Sequence, residues 1–347
     1  MFLTKYTAKG PSSRYRTFQY LPYFTNHGIE CTVSPLFSDA YLASFWGNKR
    51  TDYAGVISQY LKRLLQLFRA GRFDYVFIEY EVFAYLPATF ERLLKMFGVK
   101  YILDYDDAIF HNYDLHNRGF VRKLLKNKIP VAMRYAFAVI TGSPYLTSFA
   151  RMYNNNVVEI PTSVDMDNYT PNFIPVPTDK FTIGWIGSKS TSKYVMDILP
   201  AIESFAADYP CRLSLVGFDA DLLKKREDYI KVLPWDGARE NEYLNSFTVG
   251  IMPLRDTPWE RGKCGFKMIQ YMACGKPVIV SPLPANIKID RNKTALFASK
   301  SEDWYDCFRE VYENRARYAE IGTQNRKVVE EYYSIQANSK KYLEVLL

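Results

Sequence analysis

Short apolar runs alternate with stretches of helical periodicity along the chain. Met1–Leu3, Glu30–Val33, Tyr75–Glu79, Tyr101–Tyr105 and Ala138–Thr141 have the length and composition of strands. Between them, Ser12 or Ser13 is placed to cap a helix running to about Asn26, with Gly28 closing it. Ala54–Ala70 is expected as a helix with Leu61, Leu64, Leu65 and Phe68 on one face. Alternation of this kind predicts a parallel sheet with helices on both faces.

The periodicity lapses after Val157–Ile160. Several prolines without helical or strand pattern predict a linker from Pro161 to Asp179. The alternation then restarts with strands at Phe181–Ile186, Arg212–Val216 and Tyr229–Leu233, and helices at Lys193–Tyr209 and Arg239–Phe247. Val249–Leu254 and Pro277–Val280 are two further strands. Between them Phe266–Cys274 fits one helix, with Phe266, Ile269, Met272 and Ala273 on one apolar face, Gly275 closing it and Pro277 preventing its continuation. Helical pattern dominates from Ser301. The fold class is therefore α/β: two doubly wound, Rossmann-like domains, expected to face a central cleft where such sheets place their ligands.

Four loops at strand ends carry candidate chemistry. Lys9–Arg16 holds Gly10, Ser12 and Ser13, which suit either a helix cap or an anion or hydroxyl ligand. Asp104-Tyr105-Asp106-Asp107 gathers three carboxylates in four residues, with His111 close behind. Such a cluster suits sugar hydroxyls, base chemistry or a metal, or is a solvated acidic turn. Gly187, Ser188, Lys189, Ser190, Thr191 and Lys193 form a glycine turn with hydroxyls and lysines before a helix, suited to phosphate although not a P-loop. The fourth loop, Arg255 to Gly265, is basic and glycine-bearing. Backbone amides near Cys264, Gly265 and Phe266, the helix end and Lys263 are expected to hold an anion there, a diphosphate, with Lys267 and Gln270 facing the same way.

Composition narrows this picture. The formal charge of +8 is uneven, with the basic surplus in the first half. A basic half suits nucleic acid, anionic lipid, a phosphorylated acceptor or plain solubility. The segment Arg118–Arg134 reads as an amphipathic basic helix, suited to an anionic membrane or to solvent. Five scattered cysteines and three histidines predict a reducing compartment and no metal centre. No apolar run reaches membrane-spanning length, and MFLTKYTAKG has no signal-peptide core, so neither a span nor a leader is expected.

The motifs GPSSRYRTFQYLPYFTNHGIE, LDYDDAIF, EIPTSVDMDNY, IGWIGSKST and GIMPLRDTPWERGKCGFKMIQYMACGKPVIVSP together resemble the GT-B fold glycosyltransferases of family 4, the glycosyl transferases group 1. The resemblance spans nearly the whole chain. It implies transfer of a hexosyl or N-acetylhexosaminyl unit from a nucleotide-diphosphate sugar, a UDP- or GDP-sugar, with retention at the anomeric carbon. It implies an acceptor domain over 1–165, a donor domain over 166–333, and a final helix over 334–347 crossing back to the first domain. The acceptor would be a glycan or lipid-linked molecule in cell-surface polysaccharide synthesis. The protein would be cytoplasmic and peripheral on the inner face of the membrane, with no cofactor or metal required and no nucleic-acid partner.

Carried onto this sequence, the resemblance makes Lys263 and Lys267 the cations for the leaving diphosphate, and Asp106, Asp107 and His111 the acceptor-site candidates. Gly10, Ser12, Ser13, Gly187–Thr191, Lys193, Cys264–Phe266 and Gln270 are the donor-binding candidates. Two glutamates of the family pattern fall here on Gly262 and Gln270, and Ser188 stands where an arginine is common. Those departures support an alternative: a non-catalytic nucleotide-sugar-binding relative.

Overall fold

A computed structural model describes residues 1–46, 52–171, 181–225 and 227–346. The chain divides into two compact units. The first comprises Met1–Thr162, the short piece Arg261–Cys264, and the C-terminal residues from Asn338; the second comprises Ser163–Glu260 and Gly265–Ala337.

The first unit is built on β1 (Phe2–Thr4), β2 (Val33–Pro35), β3 (Val76–Glu79), β4 (Tyr101–Tyr105), β5 (Ala138–Thr141) and β6 (Val157–Glu159). They form a parallel sheet in the order β2-β1-β3-β4-β5-β6. β3, β4 and β5 are buried throughout, which is why they read as continuous apolar runs. Only the step from β1 to β2 runs opposite to the later steps. Right-handed crossovers therefore place the helices after β2, β3, β4 and β5 on one face and those after β1 on the other. The C-terminal helix Ile335–Leu346 joins that second group, its Tyr342 ring lying 4.5 Å from Tyr20.

The second unit holds β7 (Phe181–Ile186), β8 (Cys211–Val216), β9 (Ile230–Leu233), β10 (Val249–Met252), β11 (Val278–Val280) and β12 (Leu296–Phe297), parallel in the order β12-β11-β10-β7-β8-β9. Its core lies on both faces of the sheet. Trp185, Phe205, Trp304 and Phe308 belong to one cluster, and Tyr271, Met272, Val280 and Val329 to the other. Phe266–Ala273 is a helix, and Gly275 closes it at φ 66°.

Several local expectations change. Between Gly10 and His27 the chain makes helix Pro11–Arg16, a 3-10 turn Phe18–Tyr20 and helix Leu21–Asn26. Gly10 occupies the N-cap, with no side-chain capping bond, so neither serine caps. The strand expected at Glu30–Val33 lies at Val33–Pro35. The basic segment Arg118–Arg134 is two helices, Gly119–Leu125 and Lys128–Tyr135, and Lys128 is buried with its ammonium on the Phe83 carbonyl and Glu81. Val164 pairs with Ser334 inside the expected linker, and residues 172–180 of that linker lie outside the described residues. The helix Tyr53–Leu67 forms near its expected bounds; of the four residues on the expected face Leu64 is half-buried, while Leu61, Leu65 and Phe68 are exposed.

Candidate functional site

Ligands of doubly wound sheets gather where the strand order reverses, outside the carboxyl ends. In the first sheet that point lies between β1 and β3. Glu79 ends β3 and is buried. Its Oε2 accepts from Ser13 Oγ at 2.6 Å and from the Lys5 amide at 3.0 Å, while Oε1 has no hydrogen-bond partner. Burial raises the Glu79 carboxyl from 4.5 to about 7. Ser13 Oγ also accepts from the Tyr6 amide. Its role is thus to join the loop after β1 to β3.

A second chain of contacts begins at Ser12, whose Oγ lies 2.9 Å from Tyr80 Oη; Tyr80 donates to Asp106 Oδ1. Burial, and then repulsion from Asp107, raises the Asp106 carboxyl from 3.8 to about 6. The loop piece Arg261–Cys264 meets the same carboxylates. Lys263 Nζ pairs with Asp107 Oδ1 at 2.8 Å, Cys264 Sγ donates to the Asp106 carbonyl at 3.0 Å, and Ser143 Oγ donates to the Gly262 carbonyl at 3.2 Å. Burial opposes the charge on Lys263, and Asp107 outweighs it, holding the ammonium above its usual range. A Cβ on Gly262 would overlap the Ala108 side chain, so no carboxylate fits where the family pattern has one. Burial pushes the Cys264 thiol far up, so it is no thiolate nucleophile.

His111 stands in a separate cluster. Its Nδ1 is 2.8 Å from Asp114 Oδ1 and its Nε2 is 2.9 Å from Tyr145 Oη. The third carboxylate of the acidic motif is structural. Asp104 takes three guanidinium contacts of 2.5–3.2 Å from Arg16, both groups being buried, and Arg16 also donates to the Ile160 carbonyl.

In the second unit the order reverses between β7 and β10. Gly187 follows β7, and any Cβ there would strike the Trp185 ring and come within 2.9 Å of Lys267 Cε. Lys267 Nζ lies 5.8 Å from the Trp185 ring centre. Gly217 after β8, at φ 72°, brings its backbone against the Gly187 carbonyl. Gly187, Gly217, Trp185 and Lys267 thus make one glycine-floored surface beneath a lysine. Helix Phe266–Ala273 starts beside it from left-handed Gly265 at φ 68°. The turn Ser188–Thr191 is closed on itself, with the Ser188 amide donating to Thr191 Oγ1 and Ser188 Oγ 3.0 Å from Ser190 Oγ. Lys189 is exposed, and Lys193 lies 5.0 Å from the Tyr194 ring centre.

Gln270 is buried in a polar knot that sequence reasoning missed. Its Nε2 donates to Glu240 Oε1 at 2.9 Å and lies 3.1 Å from Tyr169 Oη. Glu240 also accepts from Tyr169 Oη at 2.6 Å and from Trp235 Nε1 at 3.1 Å. Donation through its nitrogen turns the Gln270 oxygen away from Glu240 and leaves it to accept. Tyr169 lies within the expected linker and Glu240 on a short helix, so only folding could join them.

Ser12, Ser13, Asp106, Asp107, Lys263 and Cys264 therefore meet in the first unit, with Gly10 packed on Tyr6 nearby and His111 apart. Gly187–Thr191, Lys193, Gly265–Lys267 and Gln270 lie in the second. Among the described residues no three His, Cys, Asp or Glu side chains converge as metal ligands, and no helix is long and apolar enough to cross a membrane. A cavity of about 220 Å³ in the second unit is lined by Tyr194, Asp197, Arg255, Ser281 and Trp304, and includes neither Gly187 nor Lys267.

Residues 180–314 match the family described as Glycosyl transferases group 1. No curated protein sequence matches the chain. Among solved structures it is similar to sucrose-phosphate synthase from Thermosynechococcus elongatus, with 13% identity, a TM-score of 0.69, and coverage of 99% of this chain and 97% of that one. It is similar to a glycosyltransferase from Rickettsia africae at 13% identity and TM-score 0.69, over the same shares of the two chains. The Anabaena protein HepE, in complex with UDP-glucose, aligns at 14% identity and TM-score 0.70, over 99% and 98% of the two chains. At such identities the likeness establishes architecture: this chain has the GT-B fold, an α/β arrangement of two parallel six-stranded sheets.

Proposed function

We propose that the protein is a retaining glycosyltransferase that moves a hexosyl or N-acetylhexosaminyl unit from a UDP- or GDP-sugar to a glycan or lipid-linked acceptor in cell-surface polysaccharide synthesis. The observation that carries this reading is Lys267 laid over the bare Gly187 backbone at the carboxyl end of β7. Such a surface accepts a diphosphate closely and neutralises the charge that grows as the glycosidic bond breaks. Its place within the segment matched to group 1 transferases, and the UDP-glucose held by HepE, support the same donor class. The second unit is the donor domain in this reading and the first the acceptor domain. Gln270, held by Glu240, accepts a ribose hydroxyl. Asp106, Asp107 and His111 serve the acceptor, and Lys263, held by Asp107 in the first unit, is the further cation of this reading. The leaving phosphate takes the acceptor proton, and the site of action is the cytoplasmic face of the cell membrane.

A panel of UDP- and GDP-sugars tests this by thermal shift and by transfer of labelled sugar to a crude acceptor extract. At least one donor should raise the melting temperature, and Lys267→Ala should weaken that binding by about tenfold or more. Equal shifts for wild type and Lys267→Ala would remove the site assignment. The binding-only reading draws on Gly262, whose contact with Ala108 excludes the family's acid. It predicts donor binding with no turnover against any acceptor.

A further inference from the structure

The helix Tyr53–Leu67 keeps its most exposed edge apolar. Its inward side mixes half-buried Val56, Leu64 and Leu67 with polar groups. Buried Arg63 donates to the carbonyls of Thr4 at 2.7 Å and Ser34 at 2.9 Å, Gln66 bonds Ser34, and Tyr60 Oη reaches the Ala84 carbonyl at 3.3 Å. Its outward edge is apolar: Tyr53, Ile57, Leu61 and Leu65, followed by Phe68, are 57–80% exposed. Their spacing of four, four, four and three residues makes one continuous stripe. Solvent gives no reason for such a stripe, and an unpartnered apolar edge on a monomer marks an interaction surface.

The charge around the stripe selects the partner. Helices Tyr53–Leu67, Thr89–Met96, Gly119–Leu125, Lys128–Tyr135 and Pro144–Arg151 all lie in crossovers on one face of the first sheet. Their exposed charges are Lys62, Arg92, Lys95, Arg122, Lys123, Arg134 and Arg151. The acid within these five helices is Glu91, which is buried and accepts from the Val82 amide; Asp39 and Asp114, on the two other helices of the same crossovers, are paired with Lys9 and His111. Asp52 caps the start of the first helix. Leu93, Met96, Phe97, Phe120 and Leu124 add exposed apolar groups between those cations. Two copies meeting through this face would set like charges together, which disfavours self-association. Cations flanking inserted apolar side chains match an anionic lipid surface.

We infer that this face docks on an anionic bilayer, with Tyr53, Ile57, Leu61, Leu65 and Phe68 entering the headgroup–acyl boundary. The inference deepens the membrane part of the proposed function and rests on it for the lipid-linked acceptor. Its test contains no sugar donor, so failure here and failure of the transfer reading are separable.

The test is sedimentation of the full chain with phosphatidylcholine vesicles, with and without phosphatidylglycerol. Wild type should partition onto the anionic vesicles and be released by high salt. The exposed variant Ile57→Gln/Leu61→Gln/Leu65→Gln should keep its melting temperature and lose about tenfold or more in partitioning. The control Leu222→Gln/Ile287→Gln in the second unit should change nothing. Tyr53→Trp should give emission that shifts blue on anionic vesicles and is quenched by brominated lipid. The inference is overturned if wild type ignores anionic vesicles, if the triple variant binds as wild type does, or if gel filtration shows a dimer that the triple variant dissociates.

Discussion

The two units share a parallel six-stranded plan yet treat solvent differently. All of the large apolar side chains exposed among the described residues lie in the first unit, apart from Leu222, Trp235, Ile287 and Phe297. The outer helices of the second unit are studded with exposed acids: Asp197, Glu203 and Asp208 on Ser192–Asp208, and Glu302, Asp306 and Glu313 on Ser301–Glu313. Five helices on one face of the first unit expose cations as their only charges, while Asp39 and Asp114, on the shorter helices of the same crossovers, are paired with Lys9 and His111. Their interiors differ as well. At the switch point of the first sheet burial raises the carboxyls of Glu79 and Asp106, with Lys263 on neighbouring Asp107, while the second offers glycine backbone, Lys267 and Gln270, whose amide is held by Glu240. One architecture thus holds a carboxylate-rich cluster in the unit with the basic, apolar helices, and a glycine-and-lysine surface in the unit whose outer helices bear acids. The sheet order fixes where a site can be, and the side chains fix its sign.

The sharpest way to break that contrast is to open the ion pair of the first unit. Arg16→Met leaves Asp104 buried without its partner and should cost the first unit roughly 3–5 kcal/mol. Four of the five tryptophans, Trp185, Trp235, Trp259 and Trp304, lie in the second unit, and Trp46 belongs to the first. In a Trp46→Phe background, urea unfolding followed by tryptophan fluorescence should therefore keep its midpoint, while far-UV circular dichroism gains an earlier transition. If both probes shift together, the units are not independent. The counterpart in the second unit is Gly217→Ala, which places a Cβ at positive φ against the Gly187 carbonyl. It should cost about 2–3 kcal/mol by the fluorescence probe and abolish diphosphate-induced stabilisation.

A titration sharpens the acidic side. Burial holds Glu79 at about 7, so between about 4.5 and 7 the folded chain keeps a proton that the unfolded chain has released. Stability of the first unit should fall as pH rises through that window. Glu79→Gln should flatten the upper part of the slope and leave the variant roughly 1–3 kcal/mol more stable than wild type above pH 7. Asp106, raised to about 6, preserves a slope of the same sign below that pH. A variant whose stability still falls steeply from pH 6 to 7 would contradict the assignment.

The smallest effect belongs to the surface. Leu61→Gln removes an exposed side chain and should move stability by no more than about 0.5 kcal/mol, read from the denaturation midpoint. Ile269→Gln, fully buried in the second unit, should cost several times that. Equal costs would show that the stripe on Tyr53–Leu67 is covered in solution.

Much was legible before folding. Apolar runs marked β3, β4, β5, β7 and β10 to within a residue or two, because buried parallel strands need uninterrupted hydrophobicity. Gly275 marked the close of Phe266–Ala273 because the chain must turn left-handed there. Boundaries carried by polar residues went astray. Ser12 and Ser13 looked like caps, yet their hydroxyls reach Tyr80 and Glu79, more than sixty positions away. The acidic motif showed three carboxylates but not their division into Asp104 held by Arg16, Asp106 by Tyr80 and Asp107 by Lys263. The knot of Tyr169, Trp235, Glu240 and Gln270 had no local signal, since each member is an ordinary polar residue until the others arrive.

By itself, then, the sequence determined the alternation of the main strands with helical stretches, the closing glycines and which side chains share a helix face, since all of these follow from backbone sterics and local periodicity. Tertiary structure alone decided which face turns inward. Periodicity put Leu61, Leu64, Leu65 and Phe68 on one face of their helix without saying where that face points; in the fold Leu64 is half-buried and the other three are exposed. Arg63 turns in to donate to the carbonyls of Thr4 and Ser34, joining β1 to β2 beside the Leu36 amide that also bonds Thr4, and the apolar edge on the other side is left facing out.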